Sequence, residues 1–144
     1  MKIGFTGTRD GMTEAQMVAV ENILRGFWRE RAQVHHGCCV GADATFHETA
    51  QALGIVTVGH PAYPIGHEMR ADLECDMMHD ILPPLERNQA IVDLTDLIIA
   101  TPFQDTEVQR SGTWATLRYS FRVNKARCIV TPDGSAVWQK LREE

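Results

Sequence analysis

Along the chain, short apolar runs alternate with longer segments whose apolar positions recur at helical spacing. Lys2 to Thr6 reads as a buried strand that breaks at Gly7-Thr8-Arg9-Asp10-Gly11. Thr13 is placed as an N-cap, and Met17, Val20, Ile23, Leu24 and Phe27 behind it share one helical face that ends near Arg31. Gln33 to His36 is a short strand stopped by Gly37. After the loop Gly37-Cys38-Cys39-Val40-Gly41-Ala42-Asp43, a helix is expected from about Ala44 to Leu53, with Gly54 at its C-terminal cap. Ile55 to Val58 is a third strand. The stretch from His60 to Pro84 is the least regular, with four prolines and three histidines, and a helical piece is expected near Glu68 to His79. Leu85 to Leu94 reads as a helix, Asp96 to Thr101 as a strand stopped by Pro102, and Gly112 to Val123 as a helix. Arg127 to Thr131 is a last strand and Ser135 to Leu141 a closing helix.

Strand-then-helix units in this succession predict an α/β fold, a single doubly wound, Rossmann-like parallel sheet of about five strands with helices on both faces. The strand carrying Phe5 is expected at its centre, beside the strand carrying Ile98. No repeat, linker or low-complexity tract divides the chain, so residues 1–144 read as one domain.

Composition narrows the class. Hydrophobic residues make up 44% and charged residues 23%, too apolar and too weakly charged for a disordered chain. A net charge of −5 without a basic tail argues against wrapping nucleic acid by phosphate neutralisation, so a nucleic-acid partner is not expected. No apolar run approaches the ~20 residues of a membrane span, and the start is too short and interrupted for a secretory signal. A cytoplasmic protein without membrane contact is the expectation. Cys38, Cys39, Cys75 and Cys128 form no CxxC pair and are expected reduced. His35 and His36, on successive strand positions, face opposite sides and cannot easily share an ion. Neither a metal site nor a cofactor is expected.

In doubly wound sheets, ligands bind outside the carboxyl ends of the strands, at the switch in strand order. Here those ends are Gly7-Thr8-Arg9, the loop containing Gly37, Gly41, Ala42 and Asp43, the His60-Pro61 step, and the segment from Pro102 to Gly112-Thr113. Glycine permits close backbone approach, and free amides at a helix start attract anions. Arg110-Ser111-Gly112-Thr113 adds a planar cation and two hydroxyls suited to phosphate. Asp43 is open to two readings, a helix N-terminal cap or an acceptor for ribose hydroxyls. His47, one turn later, shares its face. Trp114 packs in the core or stacks on a nucleobase.

The loop Gly37 to Asp43, followed by His47 and Ala50, resembles the glycine-rich segment of the DprA/SLOG superfamily of Rossmann-like nucleotide binders. Glu86-Arg87-Asn88-Gln89 onward to Thr101-Pro102 resembles the stretch preceding the phosphate loop of the LOG cytokinin-activating branch. The resemblance implies that Arg87 falls on the arginine used for catalysis in that branch, with Asn88 beside it, and that Gly112-Thr113 fall on its Gly-Thr. The segment departs from that pattern where Phe103-Gln104 replaces two glycines and where Thr116 stands at the glutamate; Glu107 or Asp105 is the substitute carboxylate. The function implied is nucleotide binding, with Gly112, Thr113 and Arg110 on phosphate. Either an N-glycosidase acting on a nucleoside monophosphate or related nucleotide, using Arg87 and Asp43 or Glu107, or a non-catalytic sensor follows. The resemblance also implies a homo-oligomer.

Overall fold

The computed structural model describes residues 1–27, 30–63, 70–104 and 112–140. Among these residues, β1 spans Lys2–Gly7, β2 Gln33–His36, β3 Val56–Gly59, β4 Met77–Met78, β5 Leu97–Thr101, β6 Ala126–Val130 and β7 Ala136–Gln139. The helices are α1 (Glu14–Phe27), α2 (Ala42–Ala52), α3 (Pro84–Asp93) and α4 (Gly112–Arg122). All the strands join one sheet in the order β4-β3-β2-β1-β5-β6-β7. Only β7 is antiparallel to its neighbour. β1 is central and pairs with β5 from Ile3 opposite Leu97 to Gly7 opposite Thr101. The chain steps outward through β2 and β3, then returns to the other side of β1, so the order reverses between β1 and β5.

Seven strands replace the five expected, and both additions are edge strands. The helix expected near Glu68 to His79 is corrected: residues 70–79 are not helical, and Met77–Met78 pairs with β3. Asp76 causes this. Its Oδ2 accepts the Thr57 amide at 2.8 Å and the Thr57 hydroxyl at 3.3 Å, and its own amide donates to Thr57 Oγ1 at 3.2 Å. These bonds lay the segment along β3. The closing helix is corrected as well, since Ala136–Gln139 is a strand of a hairpin. Thr131-Pro132-Asp133-Gly134-Ser135 makes the turn. Asp133 Oδ1 accepts the Thr131 hydroxyl at 2.6 Å and the Ser135 amide at 2.9 Å, and Gly134 takes φ +86°.

Alternation along the strands divides the core. Ile3, Phe5, Val34, Leu97, Ile99, Cys128 and Val130 pack against Val20 and Leu24 of α1 and Phe46 and Ala50 of α2. On the opposite face Ile98 meets Ile91 and Val92 of α3, and Ala100 and Ile129 meet Leu117 of α4. Every residue of β5 is therefore buried, which explains its unbroken apolar run. Phe5 stacks on Phe46 at 4.1 Å and 7°, fastening α2 to the central strand. Burial of side chains this large contributes about 1.5–3 kcal/mol each.

Thr13 caps α1 in a reciprocal box: the Gln16 amide donates to Thr13 Oγ1 at 3.0 Å, and the Thr13 amide to Gln16 Oε1 at 2.9 Å. The helix is turned so that Gln16, Val20 and Leu24 face inward, while Met17, expected in the core, is 41% exposed. Gly54, at φ +73°, follows α2 as its C-terminal signal requires, with the Ile55 amide returning to Ala50 O. No described helix is long and apolar enough to cross a membrane.

Candidate functional site

Parallel pairing brings the carboxyl ends of β1, β2 and β5 to one edge of the sheet, and a cleft of about 760 Å³ opens there. Residues Phe5 to Asp10 form one wall, Gly37, Cys39, Val40 and Asp43 a second, and Arg87, Asn88 and Ile91 of α3 a third. The first turn of α4 closes it with Gly112, Thr113, Trp114 and Thr116, beside Phe103 and Gln104. Of the residues singled out from sequence, Gly7, Thr8, Arg9, Gly37, Asp43, Arg87, Asn88, Gly112 and Thr113 all line this cleft. Glu107, Arg110 and Ser111 lie outside the described residues, as does Asp105.

Gly41, Ala42, His60 and Pro102 are not on the cleft wall, and each has another task. Gly41 takes φ +86°, and a Cβ there would lie 2.3 Å from Arg9 O. The Ala42 amide donates to Thr8 O at 3.0 Å. Gly7 belongs to the same joint, because a Cβ on it would meet Ala42 Cβ at 2.5 Å. These three residues let the start of α2 dock against the loop after β1. The Pro102 carbonyl accepts from Gln16 Nε2. His60 presents its carbonyl to Arg87 and turns its ring to the opposite side of the sheet from α2.

Arg87 and Asp43 form the electrostatic centre. Arg87 Nη1 donates to Gly37 O at 2.7 Å and to His60 O at 3.2 Å, while Nε donates to Asn88 Oδ1 at 2.7 Å. The guanidinium lies over Gly37, where a Cβ would come within 2.7 Å of Nη1. Asp43 is not the N-cap of α2; that position is Gly41. The Asp43 carboxylate instead reaches back to accept the Cys39 amide at 3.1 Å, shaping the loop. Burial pushes its carboxyl up to about 6, against the pull of the Cys39 and Gly37 amides and of Arg87. Thr116, at the position implied for a glutamate, lines the cleft and donates its hydroxyl to Gly112 O at 2.9 Å.

His47 does not pair with Asp43. Its Nδ1 lies 2.9 Å from His36 Nε2, beneath α2 and beside Cys75. On the other face, His35 Nδ1 lies 2.8 Å from His60 Nε2, and the His60 ring stacks on His79 at 4.3 Å. Burial, then neighbouring imidazoles, lowers His35 to about 4 and His60 to about 3; burial and His47 lower His36 to about 3. His35 and His36 thus face opposite sides, as strand alternation predicts.

Asp10, Cys39, Val40, Phe103 and Gln104 line the cleft without having been singled out. Asp10 follows directly on Gly7-Thr8-Arg9, and Cys39 and Val40 lie inside the loop from Gly37 to Asp43, so proximity in sequence was their available signal. Phe103 and Gln104 occupy positions where the LOG pattern has glycine, which marked them only as departures. Trp114 is divided between roles, since it packs on the Ala100, Leu117 and Ile129 cluster and also lines the cleft.

A central parallel sheet, helices on both faces and a cleft at the strand switch define a Rossmann-like α/β protein. Within that class, the chain shares its fold with solved proteins that are 17–18% identical to it. The molybdenum cofactor binding protein from the phototrophic bacterium Rippkaea orientalis is similar with a TM-score of 0.68 at 18% identity, covering 90% of this chain and 76% of that one. The molybdenum cofactor carrier protein from Chlamydomonas reinhardtii gives 0.65 at 18% identity over 90% and 76%. DNA processing protein A from Streptococcus pneumoniae gives 0.65 at 17% identity, over 89% of this chain and 49% of that one. No family model and no curated protein matches the sequence.

Proposed function

We propose that the cleft binds a nucleotide or nucleotide-derived phosphate ligand. One observation carries this reading: the first turn of α4, the loop after β1 and the Arg87–Asp43 pair converge on a single cleft at the reversal of strand order. The positive helix end at the start of α4 favours an anion, and Thr113 adds a hydroxyl within the same turn. Arg110 and Ser111 precede that turn in sequence and supply a phosphate-binding cation and a second hydroxyl. Asp43 accepts ribose hydroxyls from the opposite wall. A volume of about 760 Å³ suits a nucleotide. A homo-oligomer, with the cleft completed by a second copy, is part of the proposal.

A second reading, cleavage of the ligand's N-glycosidic bond, is favoured by Asp43 itself. A buried carboxyl raised to about 6 beside a guanidinium is a group able to exchange a proton near neutral pH. In this reading Arg87 steadies charge developing at the reacting sugar, and Asp43 or Glu107 orients water. The absence of a carboxylate at Thr116 favours binding without turnover. Titration of a nucleotide panel by calorimetry, with chromatography for released base, separates the readings. Saturable binding without free base supports a sensor, and release of base supports the glycosidase. Failure of every nucleotide to bind overturns both.

A further inference from the structure

We propose that His35, His60 and His79 form a binding site for one divalent late-transition-metal ion, with Zn²⁺ as the reference. His35 belongs to β2, and His60 and His79 follow directly on the adjacent parallel strands β3 and β4. His35 lies on β2 opposite Val58 of β3, which in turn lies opposite Met77 of β4. His60 and His79 each stand two positions beyond those partners, so strand alternation sends all three side chains to one face. Backbone bonds fix the offsets, from the His60 amide to His36 O at 2.8 Å and from the His79 amide to Gly59 O at 2.9 Å. Their ligating nitrogens lie within 4.8 Å of one another. A tetrahedral ion with bonds of about 2.0–2.1 Å spaces such nitrogens by about 3.3 Å. His35 and His60, 2.8 Å apart, need only a small spread, and the exposed His79 is able to rotate inward.

The protons are arranged for this. His35 Nε2 lies 2.8 Å from Gln33 Oε1, an acceptor, so it carries the hydrogen and leaves the Nδ1 lone pair facing the cluster. An amide oxygen holding the outer ring nitrogen is the second shell that metal-bound histidines require. His60 donates its Nε2 hydrogen to His35 Nδ1; on metal binding this proton moves to His60 Nδ1 and frees Nε2 as a ligand, with no proton lost. The cluster of His36, Cys38 and Cys75 on the opposite face lacks these features. There the Cys38 amide donates to His36 Nδ1 at 3.1 Å, so Nε2 carries the hydrogen and is already committed to His47 Nδ1.

The test uses the full chain with Zn²⁺ or Co²⁺ alone, followed by calorimetry and by the visible spectrum of the cobalt form. One ion per chain is expected, with a spectrum free of thiolate-to-cobalt charge transfer. His79→Ala, at an exposed position, should weaken binding about a hundredfold or more, and Gln33→Ala about tenfold, with recovery in Gln33→Glu. Cys75→Ser should leave affinity unchanged. No binding by the parent chain, retention of affinity in His79→Ala, or loss of binding together with the thiolate band in Cys75→Ser would each overturn the proposal.

Discussion

Burial of Asp43 sets the solvation of a carboxylate against two amides and a guanidinium, and desolvation wins, raising the group to about 6. Because the folded value lies above the unfolded value of 3.8, the favourable contribution of the protonated form is complete below about 3.8 and is lost as pH rises through about 6. Asp43→Asn removes this loss while keeping an acceptor for the Cys39 amide. Its stability relative to the parent should therefore rise by about 2–3 kcal/mol between pH 4 and pH 7, read from denaturant unfolding at several pH values. A pH-independent difference would mean that Asp43 titrates normally. If Asp43 holds ribose, the same variant binds nucleotide less tightly, so stability and affinity move in opposite directions. Gly112 offers a complementary experiment. Among the described residues, nothing lies within 4 Å of a Cβ added there, so Gly112→Ala should leave stability within about 1 kcal/mol of the parent. Because Gly112 lines the cleft, the added methyl should cost at least about tenfold in nucleotide affinity. Equal affinity in calorimetry would remove the first turn of α4 from the binding surface. Sequence marked both residues but not the reason for either: the reach of Asp43 back to Cys39 depends on loop geometry that residue types do not encode.

At the level of elements, the parallel strands were legible because each is a short apolar run closed by glycine, proline or a polar turn. The edge strands were not. β4 rests on Asp76 bonding to Thr57, nineteen positions earlier, a contact invisible to local periodicity. β7 did carry a signal, since Pro132-Asp133-Gly134 is turn chemistry and Val137 and Trp138 sit on alternate faces, but four paired residues were too few to outweigh a helical reading. α1 shows how a polar residue enters an apolar stripe. Gln16 is 1% exposed because its Nε2 donates to Pro102 O and Val130 O, each at 2.9 Å, and its Oε1 completes the cap. The helix thereby ties the ends of β5 and β6 together. Gln16→Leu keeps the volume but strands these partners, and should destabilise by about 2–4 kcal/mol in chemical denaturation. Met17→Ala, which a periodicity argument places in the core, should change stability by only about 0.5 kcal/mol, because the side chain is 41% exposed. The opposite ranking would show that α1 is turned the other way.

Across the whole molecule, the reversal of strand order creates the cleft, and Arg87 ties its two sides together. α3 belongs to the face over β5, yet Arg87 reaches from it to the carbonyls of Gly37 after β2 and of His60 after β3. The family resemblance marked Arg87 as a site residue, but its backbone partners lie fifty and twenty-seven positions away and could not be read locally. Those bonds give the residue a structural duty before any chemical one. Arg87→Ala should leave two carbonyls without their donor and destabilise by about 1–3 kcal/mol. It also removes a charge that lowers the Asp43 carboxyl, so Asp43 should titrate above 6 in that variant. Arg87→Lys separates the two effects. A lysine restores the positive charge but not the planar fork, so the titration of Asp43 should return toward that of the parent while most of the stability loss persists. Carboxyl NMR titration reads the first quantity and denaturant unfolding the second. If Lys recovers both, a point charge is sufficient and the hydrogen bonds to Gly37 and His60 contribute little. If the Asp43 titration does not move in Arg87→Ala, the pair is not coupled, and catalysis that requires Arg87 and Asp43 to act together loses its electrostatic basis.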